Sequence, residues 1–390
     1  MITDKLRAWW WHCQGLDGSM RGKTPAQVLG ATGWSRSVGG ANPYLGLFAR
    51  IGTRRAEVDA AVERLDIHEL PVVRGCTYVL GAEDFAWGLQ LGAGGAQAQL
   101  RTVERLGVPR AELDDLAQQT AAVLRERGPL TPQQLKEELG QAVRTLGEAG
   151  KKKGAATTLP AALGALQSSG AIRRAPLNGR LDQQRYAYTA WDLPPSGLSD
   201  EEARAAVVRR YLSWTGGATL GQSQWFTAFT VAQSRLALSQ AGAVEYDGVW
   251  RLPADQETFE AFRAPQEEQI QLLAGTDGIA LLKRNAVELL ADEDAGRSTA
   301  GDRSLALQAD LADHPILDRG RIIGLWQYDP GHQEIVAWTF RAPSAGVGQR
   351  IAEVEAYIRE DLGDFRSFSL DSPAFRQKRI DALRASASTA

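Results

Sequence analysis

The sequence predicts an α+β protein: three tandem winged-helix modules, each a helix–turn–helix closed by a β-hairpin, then a small β-rich, barrel-like domain and C-terminal helices. Three observations support this. Residues 120–191 show helical patterns followed by two short alternating segments, residues 199–251 repeat that order, and residues 265–345 change to alternating apolar residues and turns. The predicted domains are 1–115, 116–192, 199–262 and 263–390.

The central module carries the clearest local signals. Thr131 and Pro132 suit the N-cap and the first position of a helix. A later helical pattern ends at Gly170, a residue suited to the left-handed conformation that follows a helix. Asn178 and Gly179 join the two alternating segments, and Asn-Gly is the strongest short hairpin signal. This order is that of a winged helix.

The modules on either side are read from the same pattern. ERGPLTPQQL matches TGGATLGQSQWF in position, and LQSSGAIRR matches LSQAGAVEY, which indicates an internal repeat of about 80 residues. Glu245 and Asp247 lie on the hairpin of the later copy, so we expect that copy to be a structural partner. Residues 70–80 read as strand, turn and strand, and predict a divergent first winged helix behind a glycine-rich loop at 31–52.

Positive charge is concentrated on the central module. Residues 121–190 contain four lysines and seven arginines against four glutamates and one aspartate, a net charge of +6, whereas the whole chain carries −3. A basic module in an acidic protein is typical of a surface that contacts phosphates. We therefore predict DNA, in duplex form, as the partner. The predicted contacts are Lys151, Lys152, Lys153, Arg173, Arg174, Arg180, Arg185, Trp34, Arg36 and Arg74.

Several classes of site are not indicated by the sequence. Cys13 and Cys76 are the only cysteines, which gives no disulfide framework and suggests a cytoplasmic protein. The four histidines show no H-x-x-x-H spacing, so no metal site is predicted. There is no Walker A sequence and no G-x-G-x-x-G after a strand pattern, so no cofactor is expected. No apolar run is long enough to predict a membrane span.

Four separated segments together resemble one protein family. They are RGCTYVLGAEDF at 74–85, GPLTPQQL in the central module, GGATLGQSQWF in the next module and HPILDRGRIIGLWQYD at 314–329. The pattern resembles the AlkZ-like winged-helix proteins. That resemblance implies tandem winged helices with a β-rich C-terminal domain. It also implies DNA glycosylase activity, because characterised members excise alkylated bases, including bases in interstrand crosslinks.

The resemblance also implies a catalytic Gln-x-Gln or Gln-x-Asp pair shortly before a proline. The matching place here is 39–43, where Gly39 and Ala41 stand at the two polar positions. Hydrolysis of an N-glycosidic bond needs a polar group that stabilises the sugar and holds a water, and neither residue supplies one. The remaining candidates are Asn42 and a carboxylate brought in by the fold, such as Asp17. No catalytic residue is therefore assigned.

Three functions follow from these observations. The preferred one is a DNA-binding protein related to DNA damage and repair that lacks family-type base excision. The first alternative is an active glycosylase that hydrolyses the N-glycosidic bond of alkylated bases. The second is an interaction or ligand-binding protein that uses the same scaffold without DNA, which the pI near 5.9 favours mildly.

Overall fold

Helices and antiparallel hairpins alternate along most of the chain, and a four-stranded sheet follows them near the C-terminus. This is the mixed α and β class predicted from the sequence. The computed structural model describes residues 3–38, 40–299, 303–366, 368 and 371–388.

The first unit covers residues 4–104. Its elements are α1 (Asp4–Cys13), α2 (Pro25–Thr32), β1 (Ser35–Arg36), α3 (Asn42–Ile51), α4 (Arg55–Glu63), β2 (Ile67–Pro71), β3 (Thr77–Gly81) and α5 (Phe85–Glu104). The strands form an antiparallel sheet in the order β1-β3-β2. Arg36 on β1 lies opposite Tyr78, and Leu70 on β2 also lies opposite Tyr78. The short strand β1 therefore forms one edge of this sheet.

The second unit covers residues 110–190. Its elements are α6 (Arg110–Arg127), α7 (Pro132–Leu139), α8 (Gly147–Lys152), α9 (Leu159–Ser168), β4 (Ile172–Pro176) and β5 (Tyr186–Ala190). Helix α7 begins at the predicted place, because the Thr131 and Gln134 side chains form a capping box. Helix α6 runs through residues 115 and 116, between which a domain boundary was predicted, and the last two residues of α8 are Lys151 and Lys152.

The third unit covers residues 200–261 and repeats the second. Its elements are α10 (Asp200–Thr215), α11 (Leu220–Thr227), α12 (Val231–Gln240), β6 (Val244–Tyr246), β7 (Val249–Arg251) and α13 (Pro253–Ala261). Thr219 and Gln222 form the same capping box as Thr131 and Gln134. In both units the residue before that threonine bridges to the hairpin: Leu130 pairs with Tyr188, and Ala218 with Trp250. The internal repeat is therefore present in three dimensions.

The C-terminal part covers residues 270–388. Its elements are β8 (Ile270–Leu272), α14 (Gly278–Leu281), β9 (His314–Asp318), β10 (Arg321–Asp329), β11 (Glu334–Thr339), α15 (Ala345–Tyr357) and α16 (Pro373–Ser388). The strands form one antiparallel sheet in the order β11-β10-β9-β8, a half-barrel rather than a closed barrel. Helices α15 and α16 pack on this sheet.

Shared hydrophobic cores join the first unit to the third unit and to the C-terminal part. Tyr44 and Leu45 of α3 pack in one core with Trp326 of β10 and Tyr357 of α15. A second core contains Leu70 and Tyr78 of the first sheet together with residues of α10 and α11. The second unit has a core of its own, built around α6, α7, α9 and its hairpin, and a smaller core joins α6 and α9 to α5 of the first unit. The predicted domain boundaries stay predictions.

Three consecutive tryptophans on α1 pack between the third unit and the C-terminal part. Trp10 and Trp11 are buried against residues of the C-terminal sheet. Trp9 is buried on another side of the helix, where its indole N–H donates to the Gly216 carbonyl at 3.0 Å. Because adjacent residues on a helix point in different directions, α1 fills a space between the third unit and the C-terminal part. Among the described helices, none combines the length and apolar character that crossing a membrane requires.

Candidate nucleic-acid interface

A cavity of about 340 Å³ lies where the first unit, the third unit and the C-terminal part meet. We call it the junction cavity. The first unit contributes β1 and the turn between β2 and β3, the third unit contributes α11, and the C-terminal part supplies the remaining wall. The side chains used below are Arg36, Val38, Arg74, Tyr78, Trp225, Arg284, Asp310, Gln327, Phe365, Phe368, Asp371, Phe375, Arg376 and Arg379.

The chain around β1 presents alternate residues to the junction cavity. Arg36 and Val38 line it. The two serines beside them point elsewhere: the Ser35 hydroxyl accepts a hydrogen bond from the Asn42 amide at 3.1 Å, and the Ser37 hydroxyl donates to the Glu69 carboxylate. This alternation is what extended backbone imposes. The residues of this segment that can meet a ligand in the cavity are therefore Arg36 and Val38.

Arg36 is held by its neighbours on β3. Its Nη1 donates to the Thr77 carbonyl at 3.2 Å, and its guanidinium carbon lies 5.2 Å from the centre of the Tyr78 ring. Burial raises the pKa of the Tyr78 hydroxyl above its ordinary value, so this ring stays neutral beside the arginine. A guanidinium over an aromatic face gains a cation–π attraction of about 0.5–1 kcal/mol at an exposed site. The geometry keeps the positive charge of Arg36 at the cavity wall.

Arg74 and Trp225 meet across the boundary between the first and third units. Arg74 occupies the turn between β2 and β3 with a left-handed φ of 61°. Its guanidinium carbon lies 4.2 Å from the centre of the Trp225 ring, and that of Arg284 lies 5.5 Å from the same ring. Arg284 is in turn held by the Asp310 carboxylate at 3.0 and 2.6 Å. One indole thus links three separate parts of the chain.

The arginines on the C-terminal side are paired with acidic side chains. Arg379 donates to the buried Asp313 carboxylate, which also accepts a hydrogen bond from Gln327 at 2.9 Å. Arg376 lies 2.6 Å from the Asp364 carboxylate. These pairs fix the wall formed by β10 and α16.

The comparison with known proteins decides the family. The family model described as "DNA glycosylase AlkZ-like" matches residues 31–366. The chain belongs to the AlkZ-like family. Membership supports a role in DNA binding and in the repair of DNA damage. Among solved structures, the DNA glycosylase AlkZ of Streptomyces sahachiroi is similar to this chain with a TM-score of 0.67 and 20% identity, over 94% of this chain and 98% of that chain. That likeness concerns the fold. None of the curated proteins compared with the chain matches it.

In this AlkZ-like chain, Ala41, one of the two positions predicted for the catalytic pair, does not line the junction cavity. Ala41 is buried, and its backbone N–H donates to the Arg366 carbonyl at 2.9 Å. Gly39 lies outside the described residues. The Asn42 amide nitrogen contacts the Ser35 hydroxyl at 3.1 Å and the Arg36 and Thr276 carbonyls at 3.3 Å each. Asn42 therefore ties β1 to the loop before α14, and the hypothesis that it acts on substrate is not supported.

Trp34, predicted as a probe of a DNA groove, is a core residue. Its side chain is buried at 2% exposure, and the indole N–H donates to the Asp84 carboxylate at 2.8 Å. The rings of Trp87 and Trp214 lie within 5.2 and 5.3 Å of it. The glycine-rich sequence around Trp34 suggested an exposed loop, but shared packing between the first and third units encloses it. The prediction for Trp34 is wrong for this reason.

Two arginines of the second unit's hairpin, Arg174 and Arg180, are held by contacts within the protein. Arg174 lies 3.7 Å from the Glu69 carboxylate and stacks 4.5 Å from the Tyr186 ring. Arg180 is bound by the Asp182 carboxylate at 2.8 and 2.6 Å and donates to the Leu362 carbonyl at 2.9 Å. Both side chains are mostly buried. They dock the second unit onto the rest of the protein, so their predicted role as phosphate contacts is not supported.

The remaining basic residues of the second unit lie away from the junction cavity. Arg173 is partly buried, and this burial lowers the pKa of its guanidinium. Arg185 is exposed, and so are the three lysines at the end of α8 (Lys151, Lys152 and Lys153). Lys151 lies 2.7 Å from the Glu148 carboxylate. Of the ten predicted DNA contacts, all within the described residues, Arg36 and Arg74 are the two that line the cavity.

Sequence reasoning missed the cavity residues contributed by the third unit and the C-terminal part. Trp225 had a usable signal, because it stands next to Phe226 on the predicted helix and adjacent residues cannot both face the same core. Phe226 is buried at 1% exposure, whereas Trp225 is partly exposed. Arg284, Gln327 and Arg379 gave no such signal, since only the fold brings their segments together.

One cluster of potential metal ligands lies elsewhere on the molecule. Asp329, His332 and Glu334 come together at the turn between β10 and β11. Arg384 lies between the two carboxylates, 2.8 Å from Asp329 and 2.7 Å from Glu334. The His332 Nδ1 is 2.8 Å from the Asp329 carboxylate. The acidic groups are thus already matched by positive and hydrogen-bonding partners of the protein.

Proposed function

We propose that this protein binds duplex DNA in the cytoplasm, holds one unstacked base in the junction cavity, and does not cleave the N-glycosidic bond by the family's route. The three units then act as winged helices that position the duplex. The single observation that carries the proposal is the junction cavity itself, which combines arginines and aromatic rings where three parts of the chain meet.

The size and chemistry of the cavity suit a nucleobase. Small-molecule sites in proteins are typically about 300–1,000 Å³, lined by apolar and aromatic groups with a few polar ones. The junction cavity, at about 340 Å³, offers Tyr78, Trp225 and Phe365 as aromatic surfaces and Gln327 as a polar group. Proteins that act on or inspect a single base take it out of the duplex into such a pocket. Arg36 and Arg74 would place positive charge beside the base.

The residues facing the cavity argue against base excision by the family's route. On an extended segment, two residues separated by one other residue point to the same side, as a catalytic polar pair would. Arg36 and Val38 have this spacing, and both line the junction cavity. A valine cannot hold a water, and an arginine stays protonated and cannot accept a proton. Ala41 and Asn42, considered above, do not line the cavity. Lesion binding without excision by the family's route is the function that this arrangement supports.

The first experiment measures DNA binding by fluorescence anisotropy. We expect a duplex with one unpaired base to bind more tightly than the fully paired duplex. Trp225→Ala should abolish most of that difference, because stacking contacts of a base on an aromatic ring contribute about 1–3 kcal/mol. The matched control is Trp250→Ala on the hairpin of the third unit, which does not line the cavity and should keep the difference. No binding to either duplex at low salt would instead favour the interaction or ligand-binding alternative.

The second experiment tests the glycosylase alternative, which the family assignment favours. The protein is incubated with duplex that contains N7- or N3-alkylpurines, and abasic sites are detected as alkali-labile breaks. We expect no product above the control without protein. If product forms, and if Arg36→Gln or Trp225→Ala reduces its amount, the junction cavity cleaves the N-glycosidic bond. The proposal of binding without excision would then be abandoned.

A further inference from the structure

The charges around the junction cavity are unequal. Five arginines line it, against two carboxylates, those of Asp310 and Asp371. Three of the arginines form ion pairs with carboxylates: Arg284 with Asp310, Arg376 with Asp364 and Arg379 with Asp313. Asp364 and Asp313 are not lining residues and lie behind the arginines they bind.

Arg36 and Arg74 have no such balance. Within the described part of the chain neither guanidinium forms an ion pair, and their contacts are the Thr77 carbonyl and the aromatic rings. The Asp371 carboxylate, which also lines the cavity, belongs to the C-terminal part and accepts a hydrogen bond from the backbone N–H of Phe368 at 3.0 Å. The side of the cavity built by the first unit is therefore positive.

The aromatic rings that could attract a cation already face the protein's own cations. Arg36 lies over Tyr78, and Arg74 and Arg284 lie against Trp225. A positively charged ligand near those rings would gain cation–π attraction, but it would also stand beside fixed positive charges. In a partly desolvated site the repulsion between like charges outweighs that gain, since two unit charges interact more strongly than a charge and a ring quadrupole.

We propose that the junction cavity selects a neutral or anionic base and discriminates against a base that carries a fixed positive charge, such as a purine alkylated at N7 or N3. Arg36 and Arg74 are the residues that set this specificity. The inference rests on the proposed function, because it concerns which base the cavity holds. It assigns the protein to lesions or mismatches without positive charge.

The test uses two ligands of nearly the same shape that differ in charge. One duplex carries 7-methylguanine, which is cationic, with a 2′-fluorine on its sugar to prevent spontaneous loss of the base. The other carries 7-methyl-7-deazaguanine, which is neutral. Both are placed opposite an abasic analogue in the same sequence, so that the base leaves the stack easily. Anisotropy titrations at one salt concentration give the ratio of the two dissociation constants.

We expect the neutral duplex to bind about tenfold more tightly, which corresponds to about 1.4 kcal/mol. Arg36→Gln with Arg74→Gln should reduce the ratio to about twofold or less. Arg74→Gln alone, on an exposed turn where folding is not at risk, should lower the ratio in the same direction. Arg105→Gln, which removes an exposed arginine just after α5, is the matched control and should leave the ratio unchanged.

The outcomes separate the two proposals. Equal affinity for the two duplexes, or tighter binding of the cationic one, would overturn the inference and leave DNA binding intact. A ratio that survives the double substitution would overturn the assignment to Arg36 and Arg74. Failure of both duplexes to bind would overturn the proposed function together with the inference.

Discussion

Arg50 and Asp277 form a buried, two-point ion pair between the first unit and the C-terminal part. Both hydrogen bonds between the guanidinium and the carboxylate measure 2.9 Å, and the two side chains are 6% and 4% exposed. Arg50 also donates to the Gln14 and Gly46 carbonyls. Asp277 follows Thr276, whose carbonyl binds Asn42. The same pair of segments is thus joined twice beside the junction cavity.

We predict that Arg50→Met destabilises the protein by about 3–5 kcal/mol, because it leaves the Asp277 carboxylate buried without its partner. Urea unfolding followed by circular dichroism measures this change. Arg50→Met combined with Asp277→Leu should be less damaging than Arg50→Met alone, since no charge remains buried. A double variant that is less stable than the single one would contradict this explanation.

The lysines at the end of α8 give a prediction about salt dependence. Replacing Lys151, Lys152 and Lys153 by glutamine should weaken DNA binding on all sequences alike, because phosphate contacts carry no sequence information. The slope of log K against log salt should become shallower by about 0.9 for each phosphate that these lysines neutralise in the unmodified protein. Anisotropy titrations over a series of salt concentrations measure the slope.

Two variants serve as controls for the lysines. Glu148→Gln removes the carboxylate 2.7 Å from Lys151 and should strengthen binding. Lys23→Gln removes one exposed charge from the first unit and should leave the slope unchanged. If the triple variant binds DNA with the same affinity and slope as the unmodified protein, the lysines do not face DNA.

Trp34 should affect stability and not DNA recognition. Trp34→Ala removes a large buried side chain and leaves the Asp84 carboxylate without its indole donor, so we expect the free energy of unfolding to fall by about 3–5 kcal/mol. Thermal unfolding measures it. Under conditions where Trp34→Phe is folded, that variant should bind DNA like the unmodified protein. Weaker binding by a stably folded Trp34→Phe would revive the prediction that this residue reads a groove.

His68 predicts a loss of stability in acid. Burial, with the nearby Arg173 and Arg174 charges, lowers the pKa of this imidazole to about 3, and neither ring nitrogen has a hydrogen-bond partner among the described residues. Below pH 6.5 the His68 imidazole binds a proton in the unfolded chain but stays neutral in the folded protein. Full stability is therefore present above pH 6.5 and declines between pH 6.5 and 3, by at most about 1.4 kcal/mol per pH unit for this group.

The measurement is the free energy of unfolding of His68→Leu between about pH 7 and pH 4, within the window where the two states differ in protonation. The free energy of unfolding of the variant should change less steeply with pH than that of the unmodified protein, by the contribution of one proton, because leucine does not titrate. His314, whose pKa burial also lowers to about 3, should account for a further share. An unchanged pH dependence in His68→Leu would show that the imidazole is protonated in the folded state.

The arginines show how far the sequence leads toward the site. Arg36 and Arg74 were predicted as DNA contacts, and both line the junction cavity. Arg174 and Arg180 were predicted on the same grounds, yet their charges are matched by Glu69 and Asp182. The partner of Arg174 lies far away along the chain, so the sequence does not show that its charge is matched. The partner of Arg180 is two residues away, but only the folded hairpin shows that the two side chains meet.

What the sequence determined by itself is local. Capping boxes at Thr131 and Thr219 act within a few residues, so the starts of α7 and α11 could be predicted from their side chains alone. The Asn178-Gly179 signal predicted a short hairpin turn, but residues 177–185 connect β4 to β5. The tertiary structure decided which faces remain open. Trp34 is enclosed and Trp225 reaches a cavity because units distant in sequence share apolar cores, and burial of apolar surface depends on what packs against it rather than on neighbours along the chain.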